Sequence, residues 1–285
     1  MFNQNIKSPV NIPVSKIHPF ERNPYKVLDN DEMNNLIESI QQKGVISPIV
    51  VRPLEDSTDE YEIISGHRRL RASVKAGLET VPVLIYAVTR DEAAIMLVDS
   101  NLHREHILPS EKAFAYKLKL EALNHQGKTF GQVGQKYSRD LMAESVDESS
   151  RQIHRYIRLT NLIPELLDLV DEEKIALTPA VELSYLSDEE QYSLLGTIEE
   201  EDRTPSLSQA VRFKKLSQAG ELSDESIETI MQEDKANQKP MFKVSMERLQ
   251  KVAPKVKDKD FEDFVLKACE HYYRYLLRQR DRDSR

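Results

Sequence analysis

Along residues 10 to 90 the apolar positions switch repeatedly between a period of two and a period near 3.6, the signature of strands alternating with helices. "NIPVSKIHPF" (11–20) is a short alternating segment ended by Pro19. "DEMNNLIESIQQKG" (31–44) sets Met33, Leu36, Ile37 and Ile40 on one helical stripe, opens on two acids and stops at Gly44. "PIVVRPL" and "YEIISG" are β-rich runs separated by the polar turn "EDSTDE", which makes them neighbouring strands. "HRRLRASVKAG" (67–77) then reads as a helix stopped by Gly77, and "TVPVLIYAV" (80–88) as another strand.

Beyond residue 90 the strand signal fades. "DEAAIMLVDSNLHRE" and "SEKAFAYKLKLEALNHQG", the second preceded by Pro109, are amphipathic helices. Shorter helices follow a glycine-containing loop (Gly127, Gly131, Gly134) and run to about residue 200. Thr204 and Pro205 suit the cap and first position of another helix, ended by Gly220. "KANQKP" (235–240) reads as a linker, and Phe261, Phe264, Val265, Ala268, Tyr272 and Leu276 form a stripe on a final helix. The expected fold class is an α/β N-terminal domain (1–105), an all-α helix-turn-helix domain (106–204), and a mostly helical C-terminal region (205–285).

The helix-turn-helix falls at 138–160, within "SRDLMAESVDESSRQIHRYIRLTNL". Ala143 is the small residue where two helices approach, Val146 the buried residue before the turn, and Ser149 the cap of the second helix. Ile153, Tyr156, Ile157 and Thr160 recur at intervals of three and four, so Arg151, Gln152, His154, Arg155 and Arg158 face outward. Arg and Gln bond base edges bidentately, while Ser149, Ser150 and the flanking arginines suit phosphates. A solvated basic face on a bundle helix gives the same pattern. The acid-free face and the upstream spacing favour DNA, while Asp147 stands where such turns usually carry glycine.

Charge sharpens this picture. The net charge is −8, which alone argues against a nucleic-acid partner, but the acids gather at 171–174, 187–191 and 199–202. Arg68, Arg69, Arg71 and Lys75 cluster without an acid in their own segment. A 39% apolar and 31% charged composition with no long apolar run predicts a soluble, cytoplasmic protein without a membrane partner. The single cysteine, Cys269, excludes an internal disulfide framework and reads as a small buried apolar residue.

Two short boxes carry candidate chemistry. In "EIISGHRR" a β-run passes through Gly66 into a helix start, placing free backbone N–H groups beside Arg68 and Arg69. That is an anion site in physical terms, and it is equally the plain basic start of an exposed helix. In "SNLHREHILPSEKA" (100–113), Asn101 and Arg104 sit one turn apart on a helix face, suiting a phosphate or a metal-bound phosphate. His103 and His106 lack carboxylate or cysteine partners at ligand spacing, so zinc is not expected.

Four ordered blocks then make the chain recognisable. "LIESIQQKGVISPIVVRP", "YEIISGHRRLRAS", "NLHREHILPSEKAFA" and the helix-turn-helix occur in the order of the ParB partition-protein family. "IPELLDLVDEEKIALTPAVELSYL" also resembles the segment that follows the reading head there, so the resemblance spans roughly residues 10 to 200. It implies an N-terminal domain that binds CTP with magnesium and a helical domain that reads a palindromic double-stranded DNA site. It also implies a homodimer, a ParA-type ATPase partner, and a nucleoid- or plasmid-associated location.

The family's "GERR" box falls on Gly66, His67, Arg68 and Arg69, and its "ENLQR" box on Ser100, Asn101, Leu102, His103 and Arg104. The resemblance assigns the phosphates to the arginines and the loop backbone, and the metal to Asn101. Both acidic positions have changed, to His67 and Ser100, which weakens the expectation of magnesium handling and of any CTPase activity. A DNA-binding regulator without nucleotide control, or a nuclease or phosphotransferase on the same scaffold, are the alternatives. For the C-terminal stripe, a dimerisation surface and a helix packed on its own chain stay equally open.

Overall fold

The computed structural model describes residues 8–102, 104, 106–128, 148–233, 245–254, 256–257 and 260–283. Among the described residues five strands form one sheet: β1 (Val10–Pro13), β2 (Ile17–His18), β3 (Ile49–Pro53), β4 (Tyr61–Ser65) and β5 (Thr80–Ile85), in the order β1-β5-β3-β4-β2. The two β-rich runs of the sequence do pair, antiparallel, with Val51 opposite Ile63 and Arg52 opposite Glu62. Arg52 and Glu62 are both buried and joined at 2.7 Å, each neutralising a charge that would be costly alone. The register slips between Val50 and Val51, and β4 carries the extra residue just before the chain turns at Gly66.

Successive side chains of β4 point to opposite faces, so Ile63 and Ile64 enter different cores. Ile63 joins Ile12, Ile49, Val51, Val81 and Val83, with Leu70 of helix α2 (His67–Lys75) closing that face. Helix α1 (Asp31–Lys43) lies against α2 through Met33, Ile40 and Ala72. Asn30 caps α1 by accepting from the Met33 amide at 3.1 Å, and Gly44 ends it. On the other face Ile64 packs with α3 (Arg90–Asp99) and α4 (Pro109–Lys128) through Ala93, Leu97, Ala115 and Leu118.

Helix α4 belongs to both halves of this unit. Ala115, Leu118 and Ala122 face the α/β core, whereas Tyr116, Leu120 and Leu123 lie under α5 (Ser150–Arg158). The first helix of the expected helix-turn-helix, with Ala143, Val146 and Asp147, lies outside the described residues. The second is α5, and its inner face is the expected one: Ile153 is buried, with Tyr156 and Ile157 partly so.

Four further helices follow in the same unit: α6 (Pro164–Asp171), α7 (Leu177–Leu183), α8 (Asp188–Glu201) and α9 (Leu207–Ala219). With α10 (Asp224–Gln232) they enclose a second large core in which Leu166, Leu183, Leu194 and Phe213 are fully buried. That core continues past residue 205, and the contact division of the chain falls between Glu233 and Asp234. Thr204 is not the cap of α9. Its hydroxyl donates to the Lys174 carbonyl, and Ser206 caps instead in a capping box with Gln209.

The second unit, 234–285, holds α11 (Met246–Val252) and α12 (Phe261–Asp283). Phe264, Tyr272 and Leu276 of the expected stripe are exposed, as are Leu266, Tyr273, Tyr275 and Leu277. Cys269 is exposed rather than buried, because it sits on this open helix. Among the described residues no helix is long and apolar enough to cross a membrane.

Burial of Phe213 tests how far the helical core extends. Phe213→Ala is expected to cost about 3–5 kcal/mol in urea unfolding. A cost below about 1 kcal/mol would place 207–232 outside that core.

Candidate functional site

The β4–α2 junction is built on one glycine. Gly66 has φ +111°, a conformation that side chains rarely adopt. A Cβ there would stand 3.2 Å from the Arg69 guanidinium and 3.3 Å from Ile49 Cγ2. Gly66 is also the N-cap of α2, and no side chain caps that helix. The first-turn N–H groups, which no intrahelical carbonyl reaches, therefore remain available to an anion.

The basic residues of α2 divide by partner. Arg71 bonds Asp29 through Nε at 2.8 Å, Lys75 meets the same carboxylate at 2.8 Å, and Arg68 pairs with Glu32 at 2.9 Å. The acids missing from the segment itself thus come from the loop before α1 and from its first turn. Arg69 folds back onto the carbonyls of Ser47 and Pro48, the latter at 2.6 Å. It braces the loop that faces Gly66.

His67 is largely buried beside these groups. Its Nε2 accepts a hydrogen bond from the Phe20 amide at 3.3 Å, so the neutral ring carries its proton on Nδ1. Burial first, and the Arg104 charge second, lower its pKa from 6.5 to about 4. At neutral pH this position is therefore an uncharged ring whose acceptor nitrogen is already taken by the Phe20 amide.

The second box meets the first. Asn101 and Arg104 sit just past the end of α3, one tight turn apart, with the Arg104 amide donating to the Asn101 carbonyl at 3.1 Å. Asn101 is buried; its Nδ2 donates to the Leu97 carbonyl at 2.7 Å and to Ser100 Oγ at 3.2 Å, which leaves Oδ1 as its acceptor. Arg104 lies over the Tyr25 ring at 5.5 Å. Gly66, His67, Arg68, Arg69, Asn101 and Arg104 line a single cleft of about 270 Å³. His103 lies outside the described residues.

Residues 23–26 complete this cleft, through Asn23, Tyr25 and Lys26. Sequence reasoning missed them because they lie in an irregular loop with no periodic pattern. Among the described residues no carboxylate lines the cleft. The donor set, three arginines, a lysine and a helix N-terminus, fits a polyphosphate. It does not fit a magnesium ion held by the protein, which ordinarily has one or two carboxylates, since the Asn23 and Asn101 carboxamide oxygens and hydroxyls are the hard side-chain oxygens of the described lining.

Helix α5 presents the other candidate surface. Ser149 caps it by accepting from the Gln152 amide at 3.2 Å. Ser149, Arg151 and His154 are exposed, and Ser150 is partly so. Arg155 is braced outward, donating to Thr178 Oγ1 at 2.7 Å and to Gln152 Oε1 at 3.1 Å. Arg158 is committed inward: it donates to the Ser184 carbonyl and lies 3.9 Å over the Tyr185 ring. Beneath α5, Leu102 joins the cluster of Tyr116 and Ile153 while also packing on the α/β core. The residue after Asn101 thus packs on both the α/β core and helix α5.

Fold and site together define a class: an α/β unit with a cation-lined cleft, sharing one long helix with a helical unit whose α5 carries arginines and no acid. Comparison with known proteins narrows it. The ParB N-terminal domain family model matches residues 3–102. The chromosome-partitioning protein Spo0J of Thermus thermophilus is 31% identical over 203 residues, 71% of this chain and 70% of that one. The nucleoid occlusion protein of Listeria innocua is 33% identical over 198 residues, 69% of this chain and 65% of that one. This chain therefore spans just under two thirds of the Listeria protein. Among solved structures, C-terminally truncated ParB from Caulobacter crescentus, complexed to the centromeric parS site, aligns over 78% of this chain and 98% of its own at 21% identity, with a TM-score of 0.42. The chain belongs to the ParB family.

Gly66→Ala is expected to lose about 1–3 kcal/mol in chemical denaturation, from backbone strain and displacement of Arg69. His67 gives a pH signature, because the unfolded ring takes a proton near pH 6.5 and the folded ring only near 4. Stability should therefore fall as pH drops through that interval, by on the order of 3 kcal/mol. His67→Gln, which keeps an acceptor but does not titrate, should flatten that part of the wild-type curve. Superimposable curves would show that His67 does not stay neutral.

Proposed function

We propose that this chain is a sequence-specific DNA-binding partition protein whose α/β cleft binds CTP, and that cleft occupancy gates a clamp-like change between two protomers. The observation that carries this reading is the meeting of the two boxes in one cleft that no described carboxylate lines, with Leu102, next to Asn101 in the chain, packed under α5. In the proposal, the N–H groups of the first turn of α2, with Arg68, Arg69 and Arg104, hold the phosphates. Arg68 exchanges Glu32 for the ligand. Asn101 turns Oδ1 toward a magnesium ion carried on the phosphates. His67 and Ser100 provide no carboxylate to activate water, so binding outlasts hydrolysis.

Helix α5 enters the major groove, with Arg151, Gln152, His154 and Arg155 toward base edges and Ser149 and Ser150 on phosphates. Arg158 positions this helix from behind. A palindromic site follows from a two-fold dimer, for which the exposed aromatic face of α12 is the candidate contact. A ParA-type ATPase and a nucleoid or plasmid location complete the proposal. A DNA-binding regulator without nucleotide control is the second reading, favoured by the existing engagement of Arg68 and Arg69.

Genome-wide mapping of bound DNA should return one enriched inverted repeat, and absence of any enriched site would overturn the proposal. With that site in hand, Arg151→Ala and His154→Ala should weaken binding about tenfold each without changing the melting temperature, whereas Arg158→Ala should lower both. In calorimetric titration, Arg68→Ala combined with Arg69→Ala should weaken CTP binding about tenfold or more. Unchanged CTP affinity would remove these arginines from the cradle, and DNA binding indifferent to CTP would favour the regulator.

A further inference from the structure

Two charged residues outside both candidate sites meet at the start of α5. Glu148 directly precedes the Ser149 cap, and its Oε1 accepts from Nζ of Lys112, on α4, at 3.0 Å. The two side chains are 23% and 27% exposed, so the pair is largely shielded from water. The same ammonium lies 5.2 Å from the centre of the Tyr156 ring on the inner face of α5, and that ring meets Tyr116 edge-on at 5.8 Å. Tyr116 is fully buried and clusters with Ile153. Among the described residues Glu148 Oε2 is buried without a hydrogen-bond partner, which leaves Lys112 as the described counter-charge of this carboxylate. A helix dipole disfavours a cation in the first turn of α4, so the charge of Lys112 answers to Glu148 rather than to its own helix.

We infer that Glu148 and Lys112 are positioning residues for DNA reading: their ion pair ties the start of α5 to α4 and so sets where Arg151 and Gln152 stand against base edges. The inference rests on the proposed DNA reading of α5. Recognition helices reach bases through their N-terminal residues, and Ser149 and Ser150 are all that separate Glu148 from Arg151. The Ser149 cap is internal to α5 and cannot place the helix on the rest of the protein. Ile153 fixes the middle of the helix in the core, and Arg158 fixes its far end on Ser184. The Lys112–Glu148 pair supplies the remaining fixed point, at the end that carries the readers. Breaking the pair leaves a mostly buried charge without its partner, a cost that a shift of the helix start relieves. Such a shift harms bidentate base contacts, whose geometry is narrow, more than it harms phosphate contacts.

The test is a binding measurement on the full chain with two duplexes of equal length, the enriched inverted repeat and a scrambled version of it. The ratio of the two affinities cancels the uniform effect of a changed charge on phosphate binding. Glu148→Gln keeps the side-chain shape and removes a negative charge, so electrostatics alone would tighten both duplexes and leave the ratio at its wild-type value. Positioning predicts instead a ratio about tenfold lower. Lys112→Met should lower it to the same extent, and the double variant no further, because either substitution already breaks the one pair. A wild-type ratio in Glu148→Gln, or losses that add in the double variant, overturns the inference while the DNA reading stands. Variants that melt at lower temperature yet keep the wild-type ratio mark a merely structural pair and overturn it equally. A wild-type chain that does not prefer the inverted repeat overturns both.

Discussion

The β4–α2 junction rests on the left-handed turn at Gly66. A side chain there is strained, because φ is left-handed and a Cβ would press on Arg69 and Ile49. The turn sends the chain from a buried strand straight into a helix whose first N–H groups are uncapped. It also lets Arg69 reach back to the Ser47 and Pro48 carbonyls and fix the neighbouring loop. The cleft wall, its positive potential and the placement of His67 all follow from that geometry.

The second constraint is mechanical. Helix α4 has one face in the α/β core and another under α5, so the two halves of the first unit cannot move independently at that helix. Leu102 sits in both clusters and adjoins Asn101 in the chain. Across the cleft, Glu111 and Asp171 connect the loop at residues 25–26 to the start of α4 and the end of α6. A ligand that rearranges the cleft therefore acts on packed, already connected elements, the physical requirement for coupling two sites.

Much of this was legible in the sequence, where local pattern and tertiary need agree. The α1 stripe, the β3–β4 pair, the Ser149 cap and the inner face of α5 all follow from periodicity and capping chemistry. What the pattern did not carry were partners distant in the chain. Arg71 and Lys75 read as an unpaired basic run, yet Asp29 holds both; Arg158 read as an outward contact, yet Ser184 and Tyr185 draw it in. Lys26 sits in a loop with no periodicity, so only the fold brings it to the cleft. Thr204 and Pro205 matched a helix start, but the capping box of Ser206 with Gln209 satisfies two donors at once and prevails.

His67 gives this member of the family its particular chemistry. Held neutral by burial and accepting from the Phe20 amide, it contributes shape and no negative charge to a cleft already free of described carboxylates. In the proposed nucleotide reading, such a site holds a polyphosphate without a described carboxylate beside it to activate water. Hydrogen exchange of the full chain with and without CTP tests this account most directly. Peptides covering 65–70 and 100–104 should gain protection together on CTP addition, at one saturating concentration. Absence of protection in both, or protection confined to one, would contradict a single cleft built from the two boxes.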